Sequence, residues 1–137
     1  MTGAGEIIKL ARPETQIVVA EPENAALLSG KEWSPHKIQG WTPDFIPRVL
    51  KKEVADKFVP VSDDESIEAA KKLAKEEGVF TGISGGATLA ACFKTAEVAP
   101  ENSTFCVMLP DTGERYLSSP LFENITEDSD EDWLSSA

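Results

Sequence analysis

The sequence predicts an α/β fold: a partial three-layer unit in which a short parallel sheet is flanked by helices. Three runs of apolar and β-branched residues, at 16–20, 58–61 and 104–109, are continuous rather than alternating, which is typical of strands covered on both faces. Segments with helical periodicity separate these runs. Because strands and helices alternate along the chain, parallel pairing of the strands is favoured.

Composition limits the class of protein. The chain has 137 residues, enough for one domain with a buried core, and its 41% hydrophobic and 27% charged residues are ordinary for a soluble globular protein. The formal net charge of −11 argues against nucleic acid and against anionic membranes as partners. No run of about 18 apolar residues is present, so we expect no direct membrane span.

The first helix and the first strand are short. Residues 5–11 mix apolar and charged side chains with helical spacing, and Pro13 ends this helix. The first strand, 16–20, is expected to stop at Glu21 and Pro22, because proline has no N–H to donate to a neighbouring strand.

The stretch 23–50 is the least regular part of the chain, since proline and glycine interrupt every periodic pattern. We expect Trp33, Trp41 and Phe45 to fix this long loop to the core through their large apolar area. His36, the only histidine, lies in this loop, where a structural hydrogen-bonding role is favoured over a role as a base.

The second strand lies within 54–61 and is followed by a well-marked helix. Ser62 and Glu65 have the spacing of a capping box, in which each side chain bonds the backbone N–H of the other. Gly78 is expected to end the helix in the left-handed conformation that glycine adopts easily.

A turn rich in glycine, 78–88, joins that helix to the next, which is predicted at 87–98 and expected to be buried because it is apolar almost all round. Four glycines and a serine hydroxyl at such a junction let the backbone approach a flat or anionic ligand. The alternative is a tight turn in which only glycine fits. The third strand, 104–109, follows this helix.

We expect an α/β domain over 1–122 and an acidic tail over 123–137. The tail contains six acidic residues and no base, and Trp133 and Leu134 are candidates for anchoring it to another surface.

Two cysteines, Cys92 and Cys106, lie in apolar surroundings without the spacing of a metal site. Buried free thiols are favoured over a disulfide. We therefore expect a soluble protein of a reducing compartment, either the cytoplasm or an organelle such as a plastid.

Five short motifs occur in one order: EP at 21–22, PHKIQG at 35–40, DFIP at 44–47, GISGG at 82–86 and LPDTGERYL at 109–117. Together they resemble the C-terminal part of cysteine synthase, the O-acetylserine sulfhydrylase family of fold-type-II pyridoxal-phosphate enzymes. The resemblance extends from about residue 2 to residue 122. It implies that the fold is the C-terminal portion of such an enzyme.

The resemblance implies cofactor-binding roles for Ser84, Gly82, Gly85 and Thr112, and it supplies no catalytic residue and no metal ligand. Ser84 matches the serine whose hydroxyl bonds the pyridine nitrogen in the family; the alternative is a plain helix cap. Gly85 stands where the family usually has a second serine. Thr112 follows Asp111 in a loop near the ring edge of the resembled fold, and a simple turn role for both residues remains open.

The adjacent residues of the same loop have structural interpretations. Glu114 and Arg115 are expected to form an ion pair and Tyr116 to pack, which we favour over any role in ligand binding.

The resemblance also implies that essential parts lie outside the match. In the resembled enzymes the Schiff-base lysine and most of the phosphate-binding residues come before the matching part, and no lysine here, Lys37 and Lys94 included, lies in a corresponding motif. We therefore expect the chain to be inactive alone. Completed by an N-terminal half, it would bind pyridoxal phosphate and replace the acetate of O-acetylserine by sulfide to give cysteine.

The alternative function is a non-catalytic scaffold or binding subunit of a larger protein complex. Under either hypothesis a lone three-stranded sheet has an exposed edge. We therefore expect a protein partner to cover that edge.

Overall fold

The computed structural model describes residues 1–123. Its helices and strands are α1 (Thr2–Ala11), β1 (Val18–Pro22), β2 (Lys57–Val61), α2 (Asp63–Glu77) and α3 (Ile83–Ala96). Short 3-10 turns occupy Glu23–Ala25, Lys52–Val54 and Gly113–Tyr116. The α/β class is confirmed, and α1 begins at residue 2 rather than at residue 5. The predicted tail anchors, Trp133 and Leu134, lie outside the described residues.

Strands β1 and β2 form a parallel pair, as the sequence predicts. The register places Val18 opposite Lys57 and Pro22 opposite Val61. Strand β1 ends at Pro22, as predicted, because a proline at the last position of a strand has no further ladder bond to donate; its start at Val18 lies two residues after the predicted residue 16.

A buried carboxylate closes the end of β1. Glu21 is almost fully buried, and its two oxygens accept hydrogen bonds from the Leu28 N–H (2.7 Å) and the Ser29 hydroxyl (2.5 Å). These bonds tie the start of the long loop to the strand, so Glu21 has a structural role here.

The prediction of a third strand is wrong, because the residues that the structure describes do not form it. Segment 104–109 forms no strand and joins neither β1 nor β2, and the sheet of the described residues has two strands. A strand needs the backbone of a neighbour to satisfy its N–H and C=O groups, and residues 1–123 provide none beside this segment.

Helix α2 forms as predicted at both ends. The Ser62 hydroxyl accepts a hydrogen bond from the Glu65 N–H (3.2 Å), and the Glu65 carboxylate accepts one from the Ser62 N–H (2.7 Å). Gly78 ends the helix at φ 67° and ψ 16°, the left-handed conformation that favours glycine.

Helix α3 differs from its prediction at both ends. It begins at Ile83 and ends at Ala96, whereas the apolar pattern predicted 87–98. Its buried face consists mainly of small residues, and Phe93 and Val98 are exposed, so the expectation of burial on all sides is wrong.

The core lies where α3 meets α2 and the sheet. Its largest fully buried apolar side chains are Ile38, Val61, Ile83 and Leu121. Within the long loop, Trp41 packs against this core, but Trp33 and Phe45 are exposed. The prediction that all three aromatic residues fix the loop is therefore correct only for Trp41.

Both cysteines are free, as predicted, but they are not both buried. Cys92 is half-buried, and burial raises the pKa of its thiol. Cys106 is exposed because it lies on the unpaired segment 104–109.

Candidate functional site

The glycine-rich turn before α3 is joined to the loop that follows segment 104–109. Thr81 and Thr112 form an isolated antiparallel bridge. The Thr81 hydroxyl donates a hydrogen bond to the Asp111 carbonyl (3.1 Å), and the Gly113 N–H donates one to the Phe80 carbonyl (3.2 Å). Two parts of the chain about thirty residues apart therefore form one unit.

The glycines at 82 and 85 allow close packing within this unit. A Cβ atom on Gly82 would collide with Cε2 of the Tyr116 ring and lie 2.5 Å from the Asp111 Oδ1. A Cβ atom on Gly85 would lie 2.9 Å from the Cβ of Thr81. Neighbouring side chains of this chain thus leave no room for a Cβ atom at either position. This agrees with the alternative given by the sequence, a tight turn in which only glycine fits.

Gly86 has a separate role that sequence reasoning missed. A Cβ atom there would collide with the Ser66 carbonyl oxygen and lie 2.8 Å from Ala70. Gly86 therefore lets α3 cross α2 at backbone contact distance. The small residues Ser66 and Ala70 on one face of α2 were the available sequence signal for this contact.

Ser84 lies in the first turn of α3 and is only 3% exposed. The N-cap of this helix is Gly82, without a side-chain capping bond, so Ser84 is not the plain helix cap that the sequence allowed. Its carbonyl accepts a hydrogen bond from Thr88, whereas the hydrogen bonds found among residues 1–123 do not include its hydroxyl. Ser84 is therefore a buried residue beside the free N–H groups of a helix N-terminus, although its hydroxyl oxygen is not among the fully buried atoms that lack a partner.

Asp111 and Tyr116 form a hydrogen-bonded pair against Gly82. The Tyr116 hydroxyl donates to the Asp111 Oδ2, and this bond, together with burial, raises the pKa of the tyrosine. The Asp111 Oδ1 is buried and has no partner among residues 1–123. Tyr116 is buried, so the packing role predicted for it is confirmed.

Thr112 is exposed and forms the N-cap of the Gly113–Tyr116 turn. A hydrogen bond from Thr112 lowers the pKa of the Glu114 carboxyl. The predicted ion pair between Glu114 and Arg115 is absent among the ion pairs of residues 1–123. Both side chains are exposed, where water satisfies each charge without a pair.

His36 lies apart from these residues, in the long loop. Its Nε2 is 3.4 Å from the Thr42 carbonyl oxygen, and its Nδ1 is buried without a partner in the described part of the chain. No acidic or nucleophilic side chain bonds the ring there, which agrees with the structural role favoured for it.

The site offers hydrogen-bond donors in the free N–H groups at the start of α3. Residues 1–123 contain no group of three acidic, histidine or cysteine side chains suited to a metal ion. In the same range, no helix is both long and apolar enough to cross a lipid bilayer. A helix N-terminus with a buried serine, entered by a glycine turn in a parallel α/β unit, is characteristic of α/β proteins that bind anionic cofactors.

Comparison with known proteins identifies the class more closely. A family model described as pyridoxal-phosphate dependent enzyme matches residues 1–111. The chain therefore belongs to the pyridoxal-phosphate dependent enzyme family. The O-ureido-L-serine synthase of Streptomyces lavendulae is 49% identical over 136 residues, and the cysteine synthase of Staphylococcus aureus (strain Mu50) is 41% identical over 122 residues.

Solved structures support the same conclusion. A mutant O-ureido-L-serine synthase with O-ureido-L-serine bound matches 98% of this chain at 50% identity and a TM-score of 0.93. An O-acetylserine sulfhydrylase isoform of Entamoeba histolytica matches 98% of the chain at 38% identity and a TM-score of 0.86. The resemblance to cysteine synthase and the fragment-like α/β fold predicted from sequence are thus confirmed.

The chain spans only a part of each relative. The match to the Streptomyces enzyme covers 99% of this chain but only 42% of that enzyme. The match to the Staphylococcus enzyme covers 89% of this chain and 39% of that enzyme. The structural matches cover 42% and 40% of the two solved chains. More than half of the family fold therefore lies outside this match.

Proposed function

We propose that this chain forms one wall of a pyridoxal-phosphate site and that the rest of the family fold supplies the lysine and the phosphate-binding residues. The proposal is carried by one observation: Ser84, a buried residue whose hydroxyl is absent from the hydrogen bonds of residues 1–123, lies in the first turn of α3. A hydroxyl in this position suits a pyridine nitrogen, which accepts one hydrogen bond.

The residues present fit one edge of the cofactor and no more. The N–H groups of the first turn of α3 and the Ser84 hydroxyl are donors. The spaces beside Gly82 and Gly85 are filled by Tyr116, Asp111 and Thr81, so these glycines act by shaping the turn rather than by contacting the phosphate directly. Thr112, exposed beside the same turn, is available to the ring edge.

The expected reaction is β-replacement on an O-acylated serine. Bound pyridoxal phosphate supplies an electron sink for the amino acid substrate. In the cysteine synthase reaction the bond between Cβ and the ester oxygen breaks and acetate leaves with the electron pair. A bond between Cβ and sulfur then forms, and hydrogen sulfide gives up its proton. Because Ser84 is a neutral donor, it does not hold a proton on the ring as a carboxylate would, which suits loss of a β-substituent.

A second candidate differs in the incoming group. The relative with 49% identity is named for O-ureido-L-serine, whereas the relatives named for cysteine are at 41%. This difference supports a nucleophile that bears a ureido group as an alternative to sulfide. Offering both to the completed protein and comparing kcat/KM for each distinguishes the two candidates.

The test separates cofactor binding from activity. The chain is mixed with a polypeptide covering the part of the Streptomyces enzyme outside its match, complex formation is measured without cofactor, and pyridoxal phosphate is then titrated while its visible absorbance is followed. We expect Ser84→Ala to weaken cofactor binding about tenfold, the effect of one hydrogen bond. Ser103→Ala, in an exposed turn, serves as the matched control and should leave binding unchanged.

Two results would contradict the proposal. A complex that forms but gives no cofactor absorbance with the wild-type chain would favour the non-catalytic scaffold or binding subunit. Equal binding by the wild type and Ser84→Ala would remove Ser84 from the site.

A further inference from the structure

Asp111 places a carboxylate against the start of α3. A Cβ atom on Gly82 would lie 2.5 Å from the Asp111 Oδ1, so this oxygen packs against the glycine. Gly82 is the N-cap of α3 without a side-chain capping bond, and Ser84 follows two residues later in the first turn. A carboxylate from a distant part of the chain therefore lies at the helix end that carries Ser84.

Three contacts hold this carboxylate in place. The Tyr116 hydroxyl, on a buried ring, donates a hydrogen bond to the Asp111 Oδ2. The Thr81 hydroxyl donates one to the Asp111 carbonyl (3.1 Å), and the bridge between Thr81 and Thr112 fixes the neighbouring backbone. The side chain and the backbone of Asp111 are thus both anchored, and one anchor is the residue directly before Gly82.

The second oxygen of the carboxylate has no such anchor. The Asp111 Oδ1 is buried without a hydrogen-bond partner among residues 1–123. A buried oxygen that accepts no hydrogen bond is unfavourable, and such a group in a folded protein calls for a specific reason. Compensation lies beside it, because the free N–H groups of the first turn of α3 carry a partial positive charge that favours a nearby anion. The carboxylate therefore stabilises this end of the helix.

We propose that Asp111 is a positioning residue for Ser84: its carboxylate, packed against Gly82, sets where α3 begins and so where the Ser84 side chain lies. Asp111 acts through the helix rather than by touching the cofactor. The consequence for cofactor binding rests on the proposed function, whereas the positioning itself is a property of this chain and is measured without cofactor.

The Gly86 amide reports on the start of α3, because it donates a hydrogen bond to the Gly82 carbonyl (3.1 Å). Its hydrogen exchange is measured by NMR in the full chain without cofactor. In Asp111→Ala we expect exchange at Gly86 to quicken about tenfold, while the Gly78 amide at the end of α2 keeps its rate within about twofold. Asp44→Ala, which removes an exposed carboxylate of the long loop, is the matched control and should leave both rates unchanged.

A double-mutant cycle tests whether Asp111 acts through Ser84. Pyridoxal phosphate is titrated into the complex of this chain with the complementary part of the Streptomyces enzyme, in four forms: wild type, Asp111→Ala, Ser84→Ala and the double variant. We expect Asp111→Ala to weaken binding about fivefold when Ser84 is present and by less than about twofold when it is already alanine. A residue with only a general structural role would weaken binding by the same factor in both backgrounds.

Asp111→Asn separates the shape of the side chain from its charge. Asparagine keeps an oxygen and can exchange a hydrogen bond with the Tyr116 hydroxyl, but it carries no charge to meet the N–H groups of α3. Exchange at Gly86 should therefore quicken only about threefold. If Asp111→Ala does not fold, Tyr116→Phe takes its place, since it removes an anchor of the carboxylate without truncating it, and exchange at Gly86 should again quicken while that at Gly78 does not.

Unchanged exchange at Gly86 in the folded variants would overturn the inference, as would equal losses of cofactor affinity in the two backgrounds of the cycle. A wild-type complex that forms but binds no cofactor would contradict only the proposed function, and exchange at Gly86 would still decide the role of Asp111. Cofactor binding that depends on Ser84, together with Gly86 exchange that is indifferent to Asp111, would contradict only this inference.

Discussion

Helices α2 and α3 and segment 104–109 differ in how their backbone groups are satisfied. The helices form their hydrogen bonds internally, α2 carries caps at both ends, and the two helices pack together through Gly86. The segment has no strand beside it in residues 1–123. A helix can be completed by local residues, whereas a strand depends on a neighbour that this part of the fold does not provide.

This difference divides the described chain into helices whose backbone bonds are satisfied internally and a segment that pairs with no strand of residues 1–123. The candidate site lies where the two meet. Ser84 belongs to α3, and the loop carrying Asp111 and Thr112 follows the segment.

The largest expected effect is on the packing of the two helices. Gly86→Ala should lower the free energy of unfolding by about 3 kcal/mol, because the new methyl group meets the backbone of Ser66 rather than a flexible side chain. Urea unfolding followed by circular dichroism measures the change.

Gly3→Ala is the matched control for that substitution. Gly3 lies in α1 with no atom within 4 Å of the position its Cβ would take, so alanine should be neutral or stabilising by at most about 1 kcal/mol. If both variants unfold at the same urea concentration as the wild type, α2 and α3 do not depend on the close contact at Gly86.

A smaller effect on the free energy of unfolding is expected in the loop that follows segment 104–109. Tyr116→Phe removes the hydrogen bond to Asp111, whose other carboxylate oxygen is already buried without a partner in the described chain. Hydrogen bonds to charged groups contribute about 1.5–3 kcal/mol, so we expect the free energy of unfolding to fall by about 2 kcal/mol.

The location of that effect distinguishes the two parts of the chain. In Tyr116→Phe, hydrogen exchange should quicken first for 111–116 and for the turn bridged to it through Thr81 and Thr112. Uniform loss of protection across α2 would show that the loop and the helices unfold as one unit, which would contradict the division drawn above.

Predictability from sequence follows the same division. Helix α2 was predicted with both ends because Ser62, Glu65 and Gly78 act on residues next to them. The start of α3 was not predicted, because the helix begins at Ile83 through packing of Gly86 on α2, a contact between distant residues. Propensity is a weak guide where tertiary contacts decide the boundary.

For the candidate site, the local sequence pattern predicted the glycine-rich turn but not the residues that pack around it. Ser84 and its neighbouring glycines stood out as a glycine-rich junction, and the family resemblance gave the serine its expected role. The pairing of Asp111 with Tyr116 against Gly82 could not be predicted, because only the fold brings these residues together. The apolar run at 104–109 predicted a third strand that the described residues do not form, because strand pairing depends on a neighbouring backbone that a local pattern does not reveal.

The smallest expected effect concerns a charge at the junction of the two helices. Burial by itself raises the pKa of Glu65, but hydrogen bonds from Lys94 and from the Ser62 N–H outweigh it, so the net pKa lies below its ordinary value of 4.5. Because the pKa is lower in the folded state, the carboxylate stabilises the protein above pH 4.5, and this contribution disappears as the pH falls through the folded pKa. Glu65→Gln keeps the shape of the side chain but cannot titrate.

Urea unfolding at a series of pH values tests this sign. The wild type should lose its advantage over Glu65→Gln as the pH falls below 4.5, and the difference at neutral pH should stay under about 1 kcal/mol because both Glu65 and Lys94 are partly exposed. Lys71→Gln, on α2 outside the ion pairs of the described chain, controls for the general loss of a charge. Parallel pH profiles for the wild type and Glu65→Gln would mean that folding does not lower the pKa of Glu65, which would contradict a stabilising role for its hydrogen bonds with Lys94 and Ser62.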